Sequence, residues 1–159
     1  MTAEATADTD RVEKRVVLRA PRARVWRALS DPAEFGSWFG VDFADASFAP
    51  GATARGHLTC PGYEHLTMEI AIDRMEPERL FSYRWHPHAV DPNADYSKEP
   101  MTLVVFELRD AAEGTLLTVV ESGFDRIPIA RRAEARRMNE QGWAQQVRNI
   151  DEHVTHQPR

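Results

Sequence analysis

A run of β-rich segments joined by tight turns constrains this chain more than any other feature. Strand-like stretches fall near 41–44, 53–60, 64–75, 79–87, 101–110 and 114–122. Pro50-Gly51, Pro61-Gly62, Glu76-Pro77-Glu78 and Ala112-Glu113-Gly114 separate them, and these residue types set the backbone into turns. A parallel pair needs a crossover of a dozen residues or more, so neighbours joined this closely pair antiparallel. The connection 88–100 (HAVDPNADYSKEP) is the longest, with two prolines and few apolar side chains. It reads either as a lid or as a solvated excursion.

Helical segments flank the strands. Glu13–Ala20 (EKRVVLRA) predicts a first strand. Pro21 then opens a short amphipathic helix over 21–29, carried by Val25, Trp26, Ala28 and Leu29. Ser30 or Asp31 caps a second short helix, with Pro32 at its first position, Glu34 near its positive end and Gly36 ending the turn. At the other end, Pro128 opens a helix that continues over 131–154 and is on the order of 35 Å long. Met138, Trp143, Val147, Ile150 and Val154 form its apolar stripe. Gly142 sits inside it at a cost of roughly 1 kcal/mol relative to alanine, which predicts a bend or a close approach to the sheet. The order is therefore strand, two short helices, six strands, long helix: an α+β fold in which one helix covers the apolar face of a curved antiparallel sheet. A single helix does not fill a strongly curved sheet, so the remaining space becomes a cavity lined by inward side chains.

Composition narrows the partners. The 159 residues suit one domain, placed at 11–155 behind a disordered acidic tail, 1–10. A formal net charge of −5 gives no support to nucleic-acid binding. No apolar run approaches the ~20 residues of a membrane span, and MTAEATADTD lacks the basic and apolar regions of a signal peptide. The expected location is the cytoplasm. Sheet edges would suit a homodimer, which no stretch of sequence specifies.

Two motifs carry a resemblance to a known family. RVWRALSDPAEFGSWFG (24–40) resembles the signature of the helix-grip (SRPBCC) superfamily of START domains, Bet v 1-like proteins and polyketide cyclases. Within it the chain is most similar to the family related to the C-terminal domain of the activator of Hsp90 ATPase. Ser122-Gly123-Phe124, Pro128, and Asn139 with Gly142-Trp143 match that family's second motif. The resemblance spans about 11–155 and implies a deep apolar cavity between the sheet and the long helix.

The candidate cavity residues are Trp38, Phe39, His57, Phe81, Tyr83, Trp85, Glu121, Met138 and Trp143. Phe81, Tyr83 and Trp85 alternate along one strand and share a face, as a cavity wall or as filled core. Glu121 shares the parity of Leu117 and Val119, so it faces inward. It either meets the polar end of a ligand, takes a proton, or forms a salt bridge to an arginine of the first strand or last helix, the commonest of these fates. His86 and His88 flank Pro87 near Asp91, with no third ligand fixed by spacing, so no metal is expected. Cys60 lacks the base that a nucleophile needs, and no cofactor motif is present.

Three roles follow. The first is binding of a small apolar or amphipathic molecule in the cavity. The second, implied by the resemblance alone, is an interaction with an Hsp90-type chaperone. The third is cyclase or hydrolase chemistry on a cavity carboxylate or histidine, for which no substrate can be named.

Overall fold

A computed structural model describes residues 9–43, 46–89 and 93–156. Most of the expected tail, Ala44 of an expected strand, and Asp91 beside the two histidines lie outside them. In chain order come β1 (Arg11–Leu18), α1 (Arg22–Ser30), α2 (Pro32–Phe39), β2 (Val41–Asp42), β3 (Thr53–Leu58), β4 (Thr67–Glu76), β5 (Leu80–Trp85), β6 (Thr102–Ala111), β7 (Gly114–Ser122) and α3 (Ile129–His156). The seven strands form one curved antiparallel sheet in the order β1-β7-β6-β5-β4-β3-β2. This is the predicted α+β helix-grip architecture, with strand and helix ends displaced by a few residues. No helix of the described residues is long and apolar enough to cross a membrane.

The bend at 30–40 shows how local chemistry builds this shape. Asp31 caps α2 by accepting a hydrogen bond from the Glu34 backbone N–H at 3.0 Å, with Pro32 in the first turn. Gly36 does not end that helix as expected: α2 continues to Phe39 and closes on Gly40, whose φ of 97° is left-handed. Gly36 is required for a different reason. A Cβ there would lie 2.0 Å from the carbonyl oxygen of Val41, so only glycine lets α2 sit this close to β2.

Phe35, on α2, is fully buried and anchors the core. Its ring meets Phe43, Phe81, Tyr83 and Phe106 at centroid distances of 6.1–6.3 Å. From the inward face of the sheet, Val104, Leu117 and Val119 join this cluster, and α3 adds Trp143 and Ile150. The inward stripe of α3 runs through Ala135, Trp143, Ile150 and Val154. Met138, predicted to belong to it, is 37% exposed. The difference is angular: Ala135 and Trp143 lie eight residues apart on one helical face, and the position between them on that face is polar Asn139. Gly142 marks no close approach to the sheet, since a Cβ there would meet nothing within 4 Å.

Candidate functional site

Strand register assembles the site. On β5, Phe81, Tyr83 and Trp85 point to the same side. Trp85 pairs with Thr102 on β6, while Tyr83 and Glu121 both pair with Val104, one from each neighbouring strand. Glu121 is the last inward residue of β7 before the chain turns at Gly123. Four-residue steps along α3 lower Asn139 and Trp143 onto the same spot.

At that spot Glu121 is completely buried and accepts four hydrogen bonds. Its Oε1 accepts from Asn139 Nδ2 at 2.8 Å and from Trp143 Nε1 at 2.8 Å. Its Oε2 accepts from Trp85 Nε1 at 2.7 Å and from the Thr102 hydroxyl. All four donors are neutral, so the expected salt bridge to an arginine is replaced by two indoles, an amide and a hydroxyl. An ionised carboxylate offers about four lone-pair sites, and this one has each of them engaged. The Tyr83 hydroxyl, buried without a hydrogen-bond partner among the described residues, finds no acceptor site free on it. Burial, with the Glu121 charge adding to it, pushes the Tyr83 phenol well above its usual range.

Two openings adjoin this cluster. The smaller, about 200 Å³, is lined by Phe39, Trp85, Asn139, Gly142, Trp143 and Gln146. Three of these walls are the donors to Glu121, which itself lies one side chain behind. The larger, about 440 Å³, has Phe39, Leu58, Leu66, Met68 and Trp85 as its apolar walls. Its polar side comes from Thr67, Glu69, His86, His88 and Ser97, with Tyr96 beside them. Phe39 and Trp85 border both spaces, with ring centroids 6.0 Å apart, and so form the partition between them. Gln146 holds the α2 end of that partition by donating to the Phe39 carbonyl at 2.9 Å.

The loop after β5 faces the larger chamber and is tied to α3. Arg131 bonds Glu99 at 2.7 Å and the carbonyls of Pro87 and His88, and its guanidinium lies 4.8 Å from the centre of the Tyr96 ring. His88 meets Glu134 at 3.3 Å. Burial, reinforced by Arg131, lowers the His86 pKa against the opposing pull of Glu99 and Glu69. Its Nδ1 is buried with no partner among the described residues.

The predicted residues therefore separate. Phe39, Trp85 and Trp143 line the openings, and Glu121 braces two of them from behind. Trp38 is buried elsewhere, donating its indole N–H to the Ala28 carbonyl at 2.9 Å. Phe81 and Tyr83 are filled core. His57 lines neither opening and is exposed on the outward face of β3, because Ala54 and Gly56 take the inward positions. Met138 also lines neither. The walls that sequence reasoning missed include Asn139, Gly142 and Gln146 of α3, Leu58, Leu66 and Met68 on the apolar side of the larger opening, and all of its polar side, His86 among them. Of these, Asn139 and Gly142 had a signal in the Asn-x-x-Gly-Trp step, and Leu58 had one in the parity of Ala54. Among the described residues, no group of three or more His, Cys, Asp and Glu is placed to hold a metal ion.

Residues 19–155 match the family described as activator of Hsp90 ATPase homolog 1-like protein. No curated protein matches the chain. Among solved structures, DynU16, a protein of the dynemicin biosynthetic locus, is 27% identical with a TM-score of 0.68. The match covers 93% of this chain and 48% of DynU16, so the chain spans about half of that protein. MLL2253 from Mesorhizobium loti is 21% identical, with a TM-score of 0.71 and coverage of 94% of this chain and 99% of that one. A protein from Arthrobacter aurescens is 17% identical, with a TM-score of 0.74 and coverage of 95% and 90%. The last two likenesses concern the fold.

Proposed function

The chain belongs to the activator of Hsp90 ATPase homolog 1-like family, and on that premise we propose that it binds a small apolar or amphipathic molecule. The ligand lies against Phe39 and Trp85, with its apolar part on the aromatic walls and its polar end toward His86. The observation that carries this reading is the pair of adjoining openings, about 440 and 200 Å³, that share those two walls. Ligand sites are typically a few hundred Å³, mostly apolar, with a few polar groups. His86, on the polar side of the larger opening, is such a group. Similarity to a protein from a biosynthetic locus also favours a small molecule.

The proposal is binding without turnover, in the cytoplasm. Glu121 is fully buried behind its donors and borders neither opening, so it is not placed to exchange a proton with a molecule bound there. A screen of fatty acids and aromatic metabolites by native mass spectrometry and dye displacement tests the reading. Trp85→Ala and Phe39→Ala are expected to weaken any hit, and a chain that retains none of these compounds contradicts it. The family's own description supports a second reading, stimulation of an Hsp90-type chaperone. Co-purification with the chaperone and a faster ATPase rate would favour that reading over the first.

A further inference from the structure

Each oxygen of the Glu121 carboxylate carries one indole. Trp85 is held on Oε2 and Trp143 on Oε1, at 2.7 and 2.8 Å. Trp85 separates the two chambers, and Trp143 with Asn139 walls the smaller one. One buried carboxyl group thus holds both the partition and the far wall, while bordering neither space itself. We propose that Glu121 is a positioning residue that sets the size of ligand the protein accepts. By pinning both indoles it fixes the walls of the smaller chamber, so that a compact ligand fits there and a broader one is excluded from it. This inference rests on the ligand-binding reading above and adds a rule of selection to it.

The geometry makes the rule sharp. Glutamine has the shape of glutamate, but only one of its two terminal atoms accepts hydrogen bonds, and the other is a donor. Whichever way its amide is placed, Glu121→Gln frees one of the two indoles. A freed Trp85 opens the partition, and a freed Trp143 enlarges the smaller chamber. Thr102 supplies a control: it donates to the same Oε2 as Trp85, is fully buried, and lines neither chamber. Thr102→Val removes one donor and leaves both indoles held.

The test measures dissociation constants of 2-naphthol, 2-hydroxyanthracene and 1-hydroxypyrene for wild type, Glu121→Gln, Trp85→Phe and Thr102→Val. NMR exchange of the indole N–H protons and thermal melting accompany the titrations. Wild type is expected to prefer the two smaller probes. Glu121→Gln and Trp85→Phe are expected to shift the ratio toward hydroxypyrene by about tenfold, the equivalent of one modest interaction. Glu121→Gln should also speed exchange of one indole proton. Thr102→Val should lower the melting temperature and leave the ratio unchanged. Should Glu121→Gln fail to fold, Trp85→Phe, which loses one donor and keeps three, carries the test. A wild-type ratio in the folded variants overturns the size rule alone, as does an equal shift in Thr102→Val. No probe binding by wild type overturns the ligand reading and the size rule with it.

Discussion

The two ends of the sheet's inward face are built from the same kinds of residue and end up opposite in character. At one end Trp38, Phe106, Leu117, Val119, Trp143, Val147 and Ile150, with Gln146 at the margin, surround a gap with no room for a water molecule. At the other, Phe39 and Trp85 stand between two open chambers. Aromatic content does not distinguish them. What lies opposite does: the closed end faces the apolar stripe of α3, whereas the open end faces a loop, an amide at Asn139 and a missing side chain at Gly142. Trp38 and Phe39 make the contrast within two adjacent residues, one sealed by its bond to Ala28 and the other bordering both chambers. In this fold a cavity is a place where the covering helix turns polar or small.

Deleting one ring from the filled core and one from the open end tests that contrast most strongly. Phe35→Ala empties a fully buried site among Phe43, Phe81, Tyr83 and Phe106, at an expected cost of about 3–5 kcal/mol in urea unfolding. Phe39→Ala removes a half-buried wall that already borders open space, so it should cost only ~1 kcal/mol and register chiefly in ligand binding. Equal costs would mean that the filled core and the open end do not differ in packing.

Breaking the clamp over the closed end should have the next largest effect. Glu34 on α2 meets His153 on α3 at 2.9 Å and Arg24 and Arg27 on α1 at 2.8 and 2.7 Å. Burial pushes its carboxyl up, but the bonds from His153, Arg24 and Arg27 outweigh this and hold it at about 2, against an ordinary 4.5. A depressed carboxyl stabilises the fold fully above its unfolded value, and that contribution fades as pH falls from 4.5 toward 2. Allowing for solvent screening, it is on the order of 1–2 kcal/mol at neutral pH. Melting curves from pH 7 to 2 should show Glu34→Gln less stable at neutrality and flatter through the acid window. Parallel curves would mean that the clamp contributes nothing.

The element order and the antiparallel hairpins were legible in the sequence because apolar alternation and turn residues report directly on what is buried and where the chain reverses, whereas the place of β1 beside β7 and the burial of Trp38 away from the openings were not. Nor was the open end, since its decisive residues are polar or absent side chains. Asn139 faces inward, yet a search for apolar periodicity passes over it and selects Met138, which the structure exposes. Glu121 was placed inward by its parity, but indole N–H groups are invisible to charge pairing, so an arginine was expected in their place. His57 was readable and misassigned: the small residues Ala54 and Gly56 share the inward parity of β3, which turns His57 outward. Which strand neighbours reach Glu121 depends on the pairing of Trp85 with Thr102, and no local pattern states that register.

At the open end itself, Arg131 joins α3 to the loop through Glu99, Pro87 and His88. Both partners of its ion pair are largely covered, at 19% and 21% side-chain exposure, so the pair is better protected than an ordinary surface one. Arg131→Ala should lower the cost of opening the loop by about 1 kcal/mol. Hydrogen exchange at residues 93–100 would report this as roughly fivefold faster exchange, since about 1.4 kcal/mol is a factor of ten. Unchanged exchange would show that the loop's own turns hold it. A faster ligand off-rate in the same variant would add that the tie restrains escape from the larger chamber.

The smallest expected effect distinguishes a helix that merely ends its stripe from one that leaves space for a ligand. Gly142 lies mid-helix, and an added Cβ meets nothing within 4 Å. Gly142→Ala should therefore stabilise α3 by up to ~1 kcal/mol, because alanine loses less backbone entropy there and meets no clash. Gly142→Leu keeps most of that helix preference and extends into the chamber of about 200 Å³ that Gly142 lines. The two variants should then differ in binding far more than in stability, with alanine tolerated and leucine displacing whatever occupies the smaller chamber. Such a split would give the glycine a purpose that helix energetics does not supply, because its cost to the helix would be the condition for an open chamber. If leucine binds probes as well as alanine does, the smaller chamber holds no ligand and the larger one alone forms the site.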